Sequence, residues 1–286
     1  MSIQKVAVIG GGLMGRQIGL NTAIYPYEVK LFDLNPEVRI AVQKWEDEYL
    51  AGRIAKGRMT PEQVEGIRSR FCIVDTMKEA VEDADLVIEA VVERKDVKKA
   101  VLHEVSGLAR EDAIIATNSS YMVSSTFKDD VTNPSRLLNM HYFNPALVMK
   151  LVEVCRGEHT AEETVEAAYN FAKSTGKTPV RVEKEIDGFL ANRILTAIYG
   201  EARKLVDEGY CTYQDLDTAC ENGLGHPMGP FRLNDLTGID LTFDIMNRRY
   251  QETGVKPRGY DLYKKMVDEG RLGRKSGKGF YDYEKK

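Results

Sequence analysis

Two residues able to exchange a proton lie on successive apolar segments near the middle of the chain. His141 stands at the end of the apolar segment 136–143, and Glu153 lies twelve residues later within Leu151-Val152-Glu153-Val154. Histidine titrates close to neutral pH, and an acid in an apolar strand is costly to bury unless it is paired. If the two segments form neighbouring strands, Glu153 can bond the far nitrogen of His141 and stabilise its imidazolium. The alternative is a satisfied core histidine beside an edge-strand glutamate.

Hydroxyl groups follow the fifth predicted strand, in Asn118-Ser119-Ser120. The carboxyl ends of the strands in a doubly wound sheet face the ligand crevice, so these hydroxyls can reach a substrate oxygen. The alternative is that the three residues cap the following helix. The other histidines, His103, His159 and His226, are expected to be surface, packing or turn residues.

The first glycines of the chain form a nucleotide-binding pattern. Gly10-Gly11-Gly12-Leu13-Met14-Gly15 matches G-x-G-x-x-G between a predicted strand and a predicted helix. Gly10 allows the tight turn, Gly12 allows close approach of a pyrophosphate, and Gly15 allows the helix to pack on the strand. The unpaired N–H groups of the first helical turn then bind the phosphates.

Asp33, at the end of the next predicted strand, completes this pattern. Its carboxylate can accept hydrogen bonds from both ribose hydroxyls and would repel a 2′-phosphate, which predicts NAD rather than NADP as the cofactor. The alternative is a glycine-rich turn with Asp33 capping the next helix. A flavin could use the same loop, but the sequence has no second nucleotide signature downstream.

The order of apolar runs predicts an α/β fold, a Rossmann-type doubly wound sheet with an all-helical C-terminal domain. Strand-like runs alternate with helical stretches up to residue 187, and helical patterns dominate from Gly188 onward. We therefore predict an NAD-binding domain over 1–187 and a helical domain over 188–286. The predicted strands are Val6–Gly10, Glu28–Asp33, Phe71–Val74, Asp85–Ala90, Ala113–Thr117, Arg136–Phe143, Lys150–Cys155 and Thr178–Val182. The predicted helices of the second domain are Phe189–Asp207, Tyr213–Asn222, Thr237–Tyr250 and Tyr260–Glu269.

The interval after the second predicted strand is long and helical. It contains Thr60-Pro61, a typical helix start with proline at the first position. We predict a helical hairpin inserted near 36–70. Its second half, from Arg53 to Arg70, carries five basic residues against two acids, Glu62 and Glu65.

Composition limits the partners. The net charge of −4 over 286 residues gives no reason to expect nucleic acid or an anionic membrane. No apolar stretch approaches the length of a membrane span, and the N-terminus lacks the features of a secretory signal. The cysteines show no C-x-x-C pairing, so no metal site is predicted. Reduced thiols in a cytoplasmic protein are the simplest interpretation. The cysteines are Cys72, Cys155, Cys211 and Cys220.

With these residues the chain resembles the L-3-hydroxyacyl-CoA dehydrogenase family, including its short bacterial members that act on 3-hydroxybutyryl-CoA. The resemblance runs in the same order over nearly the whole chain and includes the glycine loop and Asp33. The other matching segments are Ile88-Glu89-Ala90-Val91-Val92-Glu93, Asn118-Ser119-Ser120, His141-Tyr142-Phe143-Asn144-Pro145, Met149-Lys150-Leu151-Val152-Glu153-Val154, Asp187-Gly188-Phe189-Leu190-Ala191-Asn192-Arg193, Gly225-His226-Pro227-Met228-Gly229-Pro230 and Lys275-Ser276-Gly277-Lys278-Gly279-Phe280-Tyr281.

The resemblance implies a catalytic set. His141 would be the general acid and base, with Glu153 as its partner. Ser120 would hydrogen-bond the reacting oxygen or the cofactor amide, and Asn192 from the second domain would hold the substrate. The helical domain 188–286 would also form the contact of a homodimer.

The resemblance further implies cofactor contacts outside the glycine loop. Glu93, Lys98, Asn144 and Lys275 match positions near the nicotinamide end of the cofactor. The alternative is that they are solvated helix or turn residues, and it is strongest for Lys98 and Lys275.

Two positions depart from the family pattern. Tyr121 replaces a second serine after Ser120, and Tyr49 stands in the hairpin where a serine against CoA is expected. Lys56 keeps the expected base. The basic stretch 53–70 is therefore a candidate site for the phosphates of CoA, with a solvated helix face as the alternative.

The resemblance implies reversible hydride transfer between NAD(H) and C3 of a 3-hydroxyacyl-CoA or 3-ketoacyl-CoA of short chain length. The acyl-CoA would be the partner molecule. Two alternatives stay open, an NAD-dependent dehydrogenase of a hydroxy acid without CoA and a non-catalytic NAD-binding protein.

Overall fold

The structure is a computed structural model that describes residues 3–283. Its first part contains one eight-stranded sheet with the order β3-β2-β1-β4-β5-β6-β7-β8. Neighbouring strands are parallel except β6 and β7, which are antiparallel. The predicted Rossmann-type sheet is confirmed. The strands are β1 Lys5–Ile9, β2 Glu28–Phe32, β3 Phe71–Ile73, β4 Leu86–Glu89, β5 Ile114–Thr117, β6 Leu137–Tyr142, β7 Leu151–Cys155 and β8 Thr178–Val182.

Helices connect the strands and cover the sheet. Apolar side chains around Ile18, Met140 and Phe171 form one core cluster, and those around Leu102 and Phe127 form another. Strands covered on both faces are largely apolar, and β4 and β5, which are fully buried, are apolar except for Glu89 and Thr117 at their carboxyl ends. The helices are α1 Leu13–Ile24, α2 Pro36–Ala55, α3 Pro61–Arg68, α4 Met77–Val81, α5 Lys95–Leu108 and α6 Glu162–Ser174.

Helices α2 and α3 form the helical stretch expected between the second and third strands. Asn35 caps α2, and Thr60 and Gln63 form a capping box at the start of α3. Leu50 of α2 and Ile67 of α3 pack with β2 in a third core cluster. The two helices are therefore fixed to the sheet on the side of the glycine loop.

The antiparallel pair β6–β7 sorts its side chains onto two faces. Met140 and Val154 are paired in the register and belong to the first core cluster. The next pair in the register is His141 and Glu153. Because side chains alternate along a strand, these two point away from that cluster and towards the opposite face.

The chain divides between Leu190 and Ala191 into two compact units. The second unit is helical, and Phe231, Tyr263 and Met266 lie at its core. Sequence patterns missed α9, and Gly238, with φ of +112°, separates it from α10. No helix within residues 3–283 is both long enough and apolar enough to cross a bilayer. The helices are α7 Ala191–Asp207, α8 Tyr213–Gly223, α9 Pro230–Thr237, α10 Ile239–Thr253 and α11 Tyr260–Asp268.

Candidate active site

His141 and Glu153 form a buried hydrogen-bonded pair. The Nδ1 atom of His141 lies 2.8 Å from Oε2 of Glu153, and Glu153 has no exposed surface. Strand β7 lies between β6 and β8, so the alternative of an edge-strand glutamate is wrong. A carboxylate at this distance accepts a hydrogen bond from Nδ1–H and so fixes the tautomer of the imidazole.

Ser120 meets the other nitrogen of His141. Its Oγ atom lies 3.1 Å from Nε2 of the imidazole, just beyond the end of β5. The serines do not cap a helix, because the next helical turn, Ser124–Asp130, begins after Val123 and has no side-chain cap. Glu153, His141 and Ser120 therefore form one hydrogen-bonded row, and because these three are the predicted catalytic residues we call it the catalytic row.

Glu93 holds the backbone at Ser120. Its Oε1 atom accepts the N–H of Ser120 at 3.1 Å and the hydroxyl of Ser119 at 2.5 Å. Its Oε2 atom lies 3.3 Å from Nζ of Lys98. Glu93 is therefore placed to fix the orientation of Ser120 towards His141.

Lys98 is buried inside an ionic network. Only 1% of its side chain is exposed, and its Nζ atom lies 2.7 Å from Oε1 of Glu89. Glu89 also accepts the N–H of Val91 at 2.8 Å and the hydroxyl of Thr117 at 2.6 Å. The alternative of a solvated helix residue is therefore wrong for Lys98, because this face of α5 packs on β4.

The glycine loop has the shape that a dinucleotide requires. Gly10 has φ of +109°, and a Cβ on it would lie 2.6 Å from the carbonyl oxygen of Ala90. A Cβ on Gly15 would overlap the carbonyl oxygen of Gly10. No protein atom lies within 4 Å of a Cβ built on Gly12. The protein's own packing thus explains two of the glycines, whereas Gly12 faces open space, as the predicted approach of a phosphate at the start of α1 requires.

Asp33 ties the glycine loop to the end of β2. Its Oδ2 atom accepts the N–H of Gly11 at 2.7 Å, and its Oδ1 atom accepts the N–H of Asn35 at 2.9 Å. The cap of α2 is Asn35, whose side chain accepts the N–H of Glu37. A carboxylate has about four acceptor positions, so Asp33 can still accept hydrogen bonds from ribose hydroxyls.

The remaining predicted site residues are not members of the catalytic row, and two lie in the first unit and two in the second. Asn144 is exposed in the loop between β6 and β7, and Lys56 is exposed at the end of α2. Lys275 forms an ion pair with Asp240 at 2.5 Å, and Asn192 lies in the first turn of α7. Their roles towards cofactor and substrate stay predictions.

A column of aromatic and guanidinium groups on α1 and α2 was not predicted. The rings of Trp45 and Tyr49 stack with centroids 5.6 Å apart. The guanidinium of Arg16 lies 4.8 Å from the Trp45 centroid, and that of Arg53 lies 5.9 Å from the Tyr49 centroid. The spacing of four residues along α2 is the signal that indicates such a stack. We call these four residues the aromatic column.

The cations of the hairpin fall into two groups. Arg68 pairs with Asp47 at 2.7 Å, and Arg70 donates to the carbonyl oxygen of Ala23. Within residues 3–283, neither Arg53 nor Lys56 has a carboxylate within ion-pair distance, and the buried Nε atom of Arg53 has no hydrogen-bond partner. Unpaired cations of this kind are suited to bind phosphate.

The other histidines are outside the catalytic row. The ring of His103 lies 3.3 Å from the carbonyl oxygen of Asp130, and that of His159 lies 3.4 Å from the hydroxyl of Ser124. The described part of the chain contains no group of three or more His, Cys, Asp or Glu residues that could hold a metal ion.

Comparison with known proteins identifies the class. Residues 5–186 match the family model described as 3-hydroxyacyl-CoA dehydrogenase, NAD binding domain, and residues 188–283 match the C-terminal domain of the same family. The chain is an NAD-dependent dehydrogenase by its fold, its glycine loop and this match. It belongs to the 3-hydroxyacyl-CoA dehydrogenase family.

Individual relatives agree with this assignment over their whole length. A 3-hydroxybutyryl-CoA dehydrogenase of Clostridioides difficile is 37% identical over 98% of this chain and 100% of its own. The crystal structure of (S)-3-hydroxybutyryl-CoA dehydrogenase from Ralstonia eutropha has a TM-score of 0.89 at 32% identity, covering 99% of this chain and 100% of that one. A diketoreductase structure, described as acting on dicarbonyl compounds, has a TM-score of 0.91 at 30% identity with the same coverage.

Proposed function

We propose that this chain catalyses the reversible NAD(H)-dependent oxidoreduction of (S)-3-hydroxyacyl-CoA and 3-ketoacyl-CoA in fatty-acid or butyrate metabolism. The preferred pair would be the short one, 3-hydroxybutyryl-CoA and acetoacetyl-CoA. The observation that carries the proposal is the catalytic row, in which Nδ1 of His141 meets Glu153 and Nε2 meets Ser120. The two relatives described above as 3-hydroxybutyryl-CoA dehydrogenases support a CoA thioester as substrate.

The catalytic row would move one proton. In the oxidation direction, Nε2 of His141 takes the proton of the C3 hydroxyl while Ser120 hydrogen-bonds that oxygen. The imidazolium that forms lies against Glu153, whose negative charge stabilises it. In the reduction direction, the protonated imidazole returns the proton to the C3 oxygen. NAD, when bound, accepts or supplies the hydride.

The cofactor would be held by groups already oriented by the protein. The N–H groups at the start of α1, from Leu13 and Met14 onward, would bind the pyrophosphate, and Asp33 would bind the ribose. Glu93 and Lys98 would act near the nicotinamide end, where they also hold Ser120 through its N–H. Asn144 and Lys275 would add contacts from the loop after β6 and from the second unit. Asn192 would act on the substrate.

The CoA phosphates would bind on the helical hairpin. The aromatic column keeps Arg16 and Arg53 extended on aromatic faces, and Lys56 lies just beyond the end of α2. Positive groups are required locally because the chain carries a net charge of −4.

The proposal also includes a homodimer formed through the second unit and a cytoplasmic location.

A substrate series tests this function. Oxidation of NADH is followed with acetoacetyl-CoA, with longer 3-ketoacyl-CoA thioesters, and with free acetoacetate. We expect the highest kcat/KM for acetoacetyl-CoA. The value for free acetoacetate should be lower by at least about a hundredfold, because binding of the CoA moiety contributes to the rate of the chemical step. Replacing NADH by NADPH should lower the rate, since Asp33 repels a 2′-phosphate.

Two outcomes would contradict the proposal. Equal kcat/KM with free acetoacetate or another dicarbonyl compound would indicate a reductase without CoA, as the diketoreductase relative suggests. Tight NADH binding without turnover of any thioester would indicate a non-catalytic protein.

The hairpin is tested separately by comparing acetoacetyl-CoA with acetoacetyl-pantetheine, which lacks the nucleotide. Arg53→Gln should raise KM for the CoA thioester by about tenfold and leave the pantetheine thioester unaffected. Lys44→Gln is the control, a cation of the same helix that pairs with Glu48 and lies outside the basic stretch 53–70. Equal KM values for Arg53→Gln and wild type would exclude Arg53 from the CoA site.

A further inference from the structure

The segment between β8 and α7, residues 183–190, covers the strand face that carries His141 and Glu153, and we call it the strap. Phe189 in the strap has no exposed surface and has φ of +46°. A bulky residue is rare in this left-handed region, because its Cβ crowds the following carbonyl oxygen. Such a conformation persists only where its surroundings hold it, and it is concentrated at functional sites.

The strap contacts both members of the buried pair. The ring of Phe189 packs on the imidazole of His141, with centroids 5.3 Å apart. The next residue, Leu190, donates its N–H to Oε1 of Glu153 at 3.0 Å. One oxygen of Glu153 therefore binds the imidazole and the other binds the strap, so the carboxylate cannot rotate without losing a hydrogen bond.

Glu185 anchors the strap at its other end. Its Oε1 atom accepts the hydroxyl of Ser124 at 2.7 Å and the N–H of Ser125 at 2.8 Å. Between the anchor and Glu153, the ring of Phe189 packs with Cys155 in a small apolar cluster. The strap is thus fixed on both sides of its strained residue.

The residues around Glu185 do not form a second catalytic or binding site. The hydroxyl of Ser124 is fully buried and donates to the carboxylate, so Ser124 is not a nucleophile despite the nearby ring of His159. Arg156, beside the same turn, is already paired with Glu162 at 2.8 Å. The carboxylate of Glu185 is therefore an anchor.

We propose that Glu185 and Phe189 are positioning residues for the reaction described above. Glu185 holds the strap on Ser124 and Ser125. Phe189, in its strained conformation, directs the N–H of Leu190 to Glu153 and covers the imidazole of His141. The carboxylate is then kept in the one rotamer that orients Nε2 of His141 towards Ser120. The kinetic test of this role rests on the proposed function, because it measures turnover. The structural test measures only whether the strap opens and does not depend on the proposed function.

The kinetic experiment compares Glu185→Ala with Glu185→Gln. Glutamine keeps an oxygen that can accept both hydrogen bonds, whereas alanine keeps none. In Glu185→Ala, kcat for acetoacetyl-CoA should fall by about tenfold to a hundredfold, the cost of misaligned reacting groups. KM for NADH should change by less than about twofold, and Glu185→Gln should restore kcat to within about threefold of wild type. The pH profile of kcat should change only in the alanine variant.

The structural experiment uses Cys155, which is fully buried and packs with Phe189. Burial raises the pKa of its thiol to about 12, so it reacts only when the strap opens. In a background where Cys72, Cys211 and Cys220 are serine, modification by a disulfide reagent should be at least about tenfold faster in Glu185→Ala than in Glu185→Gln. This assay needs neither cofactor nor substrate.

Matched variants keep the test decisive. Glu183→Ala, an exposed residue of the same strap, should leave kcat and labelling unchanged. If Glu185→Ala does not fold, Ser124→Ala removes one of the two donors and should give the same changes at smaller size. Phe189→Gly removes the ring but tolerates the positive φ, and it should lower kcat and speed up labelling.

The outcomes separate the two proposals. Wild type without turnover of acetoacetyl-CoA would end the proposed function, and labelling would still test the strap. An active wild type with unchanged kcat, pH profile and labelling in Glu185→Ala would overturn the positioning role. A fall in kcat that Glu185→Gln does not restore would also overturn it, because the anchor needs only an acceptor oxygen.

Discussion

Two buried carboxylates of the sheet are held in a similar way by the main chain but bind different bases. Glu89 on β4 and Glu153 on β7 have no exposed surface. Each accepts a backbone N–H, from Val91 at 2.8 Å and from Leu190 at 3.0 Å. Each is thus a buried charge on a strand, satisfied on one side by main chain.

The difference lies in the base that each carboxylate binds. Glu89 binds the ammonium of Lys98, and Glu153 binds the imidazole of His141. An ammonium keeps its proton throughout the neutral range, whereas an imidazole exchanges its proton there. The same construction therefore gives a fixed support under Ser120 in one place and, in the proposed function, a proton-transfer group in the other.

Removing the imidazole should have the largest effect. His141→Gln is expected to lower kcat by about a hundredfold to ten-thousandfold, the usual contribution of general acid–base catalysis, while NADH still binds. Steady-state kinetics and NADH fluorescence measure the two properties. His103→Gln, an exposed histidine, is the control. Near-normal turnover of His141→Gln would remove it from the catalytic role.

Removing the ammonium should act on stability. Lys98→Met leaves the charge of Glu89 buried without its partner, and the free energy of unfolding should fall by about 3–5 kcal/mol. Denaturant unfolding measures the change, and the control is Lys99→Met, which breaks only a partly exposed ion pair with Asp130. The double variant Glu89→Leu with Lys98→Met should recover part of the loss. Equal midpoints for the Lys98 and Lys99 variants would contradict a supporting role.

Neutralising the acid of the catalytic row should have a smaller effect than losing its base. In Glu153→Gln the imidazolium lacks its counter-charge, and kcat should fall by about tenfold to a hundredfold, as for loss of a hydrogen bond between charged groups. The pH profile of kcat should change with it. The control is Glu158→Gln, an exposed glutamate. An unchanged profile would show that Glu153 does not act on His141.

Glu46 is a buried acid that, unlike Glu89 and Glu153, is not paired with a base in the described part of the chain. It is 1% exposed, and its Oε1 atom has no hydrogen-bond partner. Burial raises its pKa from 4.5 to about 7. The folded state therefore holds a proton that the unfolded state has released, and this acid lowers the free energy of unfolding progressively as pH rises from about 4.5 to about 7.

Glu46→Gln should remove that pH dependence. Relative to wild type, the variant should be about equally stable at low pH and more stable by about 1–3 kcal/mol at pH values above the folded pKa. Urea unfolding at a series of pH values measures the difference. Glu48→Gln, on the same helix and 68% exposed, is the control. A constant difference across the series would contradict the shift.

Much of the fold and of the buried pair could be predicted, because the signals were local. Apolar runs between turn residues marked the strands, and an acid inside the run that contains Glu153 required a partner. The same reasoning applies to Glu89, which ends Leu86-Val87-Ile88-Glu89, and would have indicated a buried base such as Lys98. The sequence does not single out Lys98, because several lysines of α5 share one stretch and periodicity alone does not identify the one that faces the strand.

The strap could not be predicted from sequence. Phe189 is not a glycine, an asparagine or an aspartate, so nothing in its type indicates a positive φ. Its conformation follows from contacts with Cys155 and His141, which are distant in the chain. The aromatic column is intermediate, since Trp45, Tyr49 and Arg53 show helical spacing, and only the fold adds Arg16.

The direct pairing of His141 with Glu153 limits how the chain can change in length. Because alternate side chains point to opposite faces, a slip of one residue between β6 and β7 would carry one partner into the apolar core and bring Met140 or Val154 to the site. A change of length within either strand would therefore break this pairing, whereas a change within the loop 143–150 would leave the register of the two strands intact. The pairing of His141 with Glu153 thus fixes the length of both strands between this pair and the neighbouring pair, Met140 and Val154.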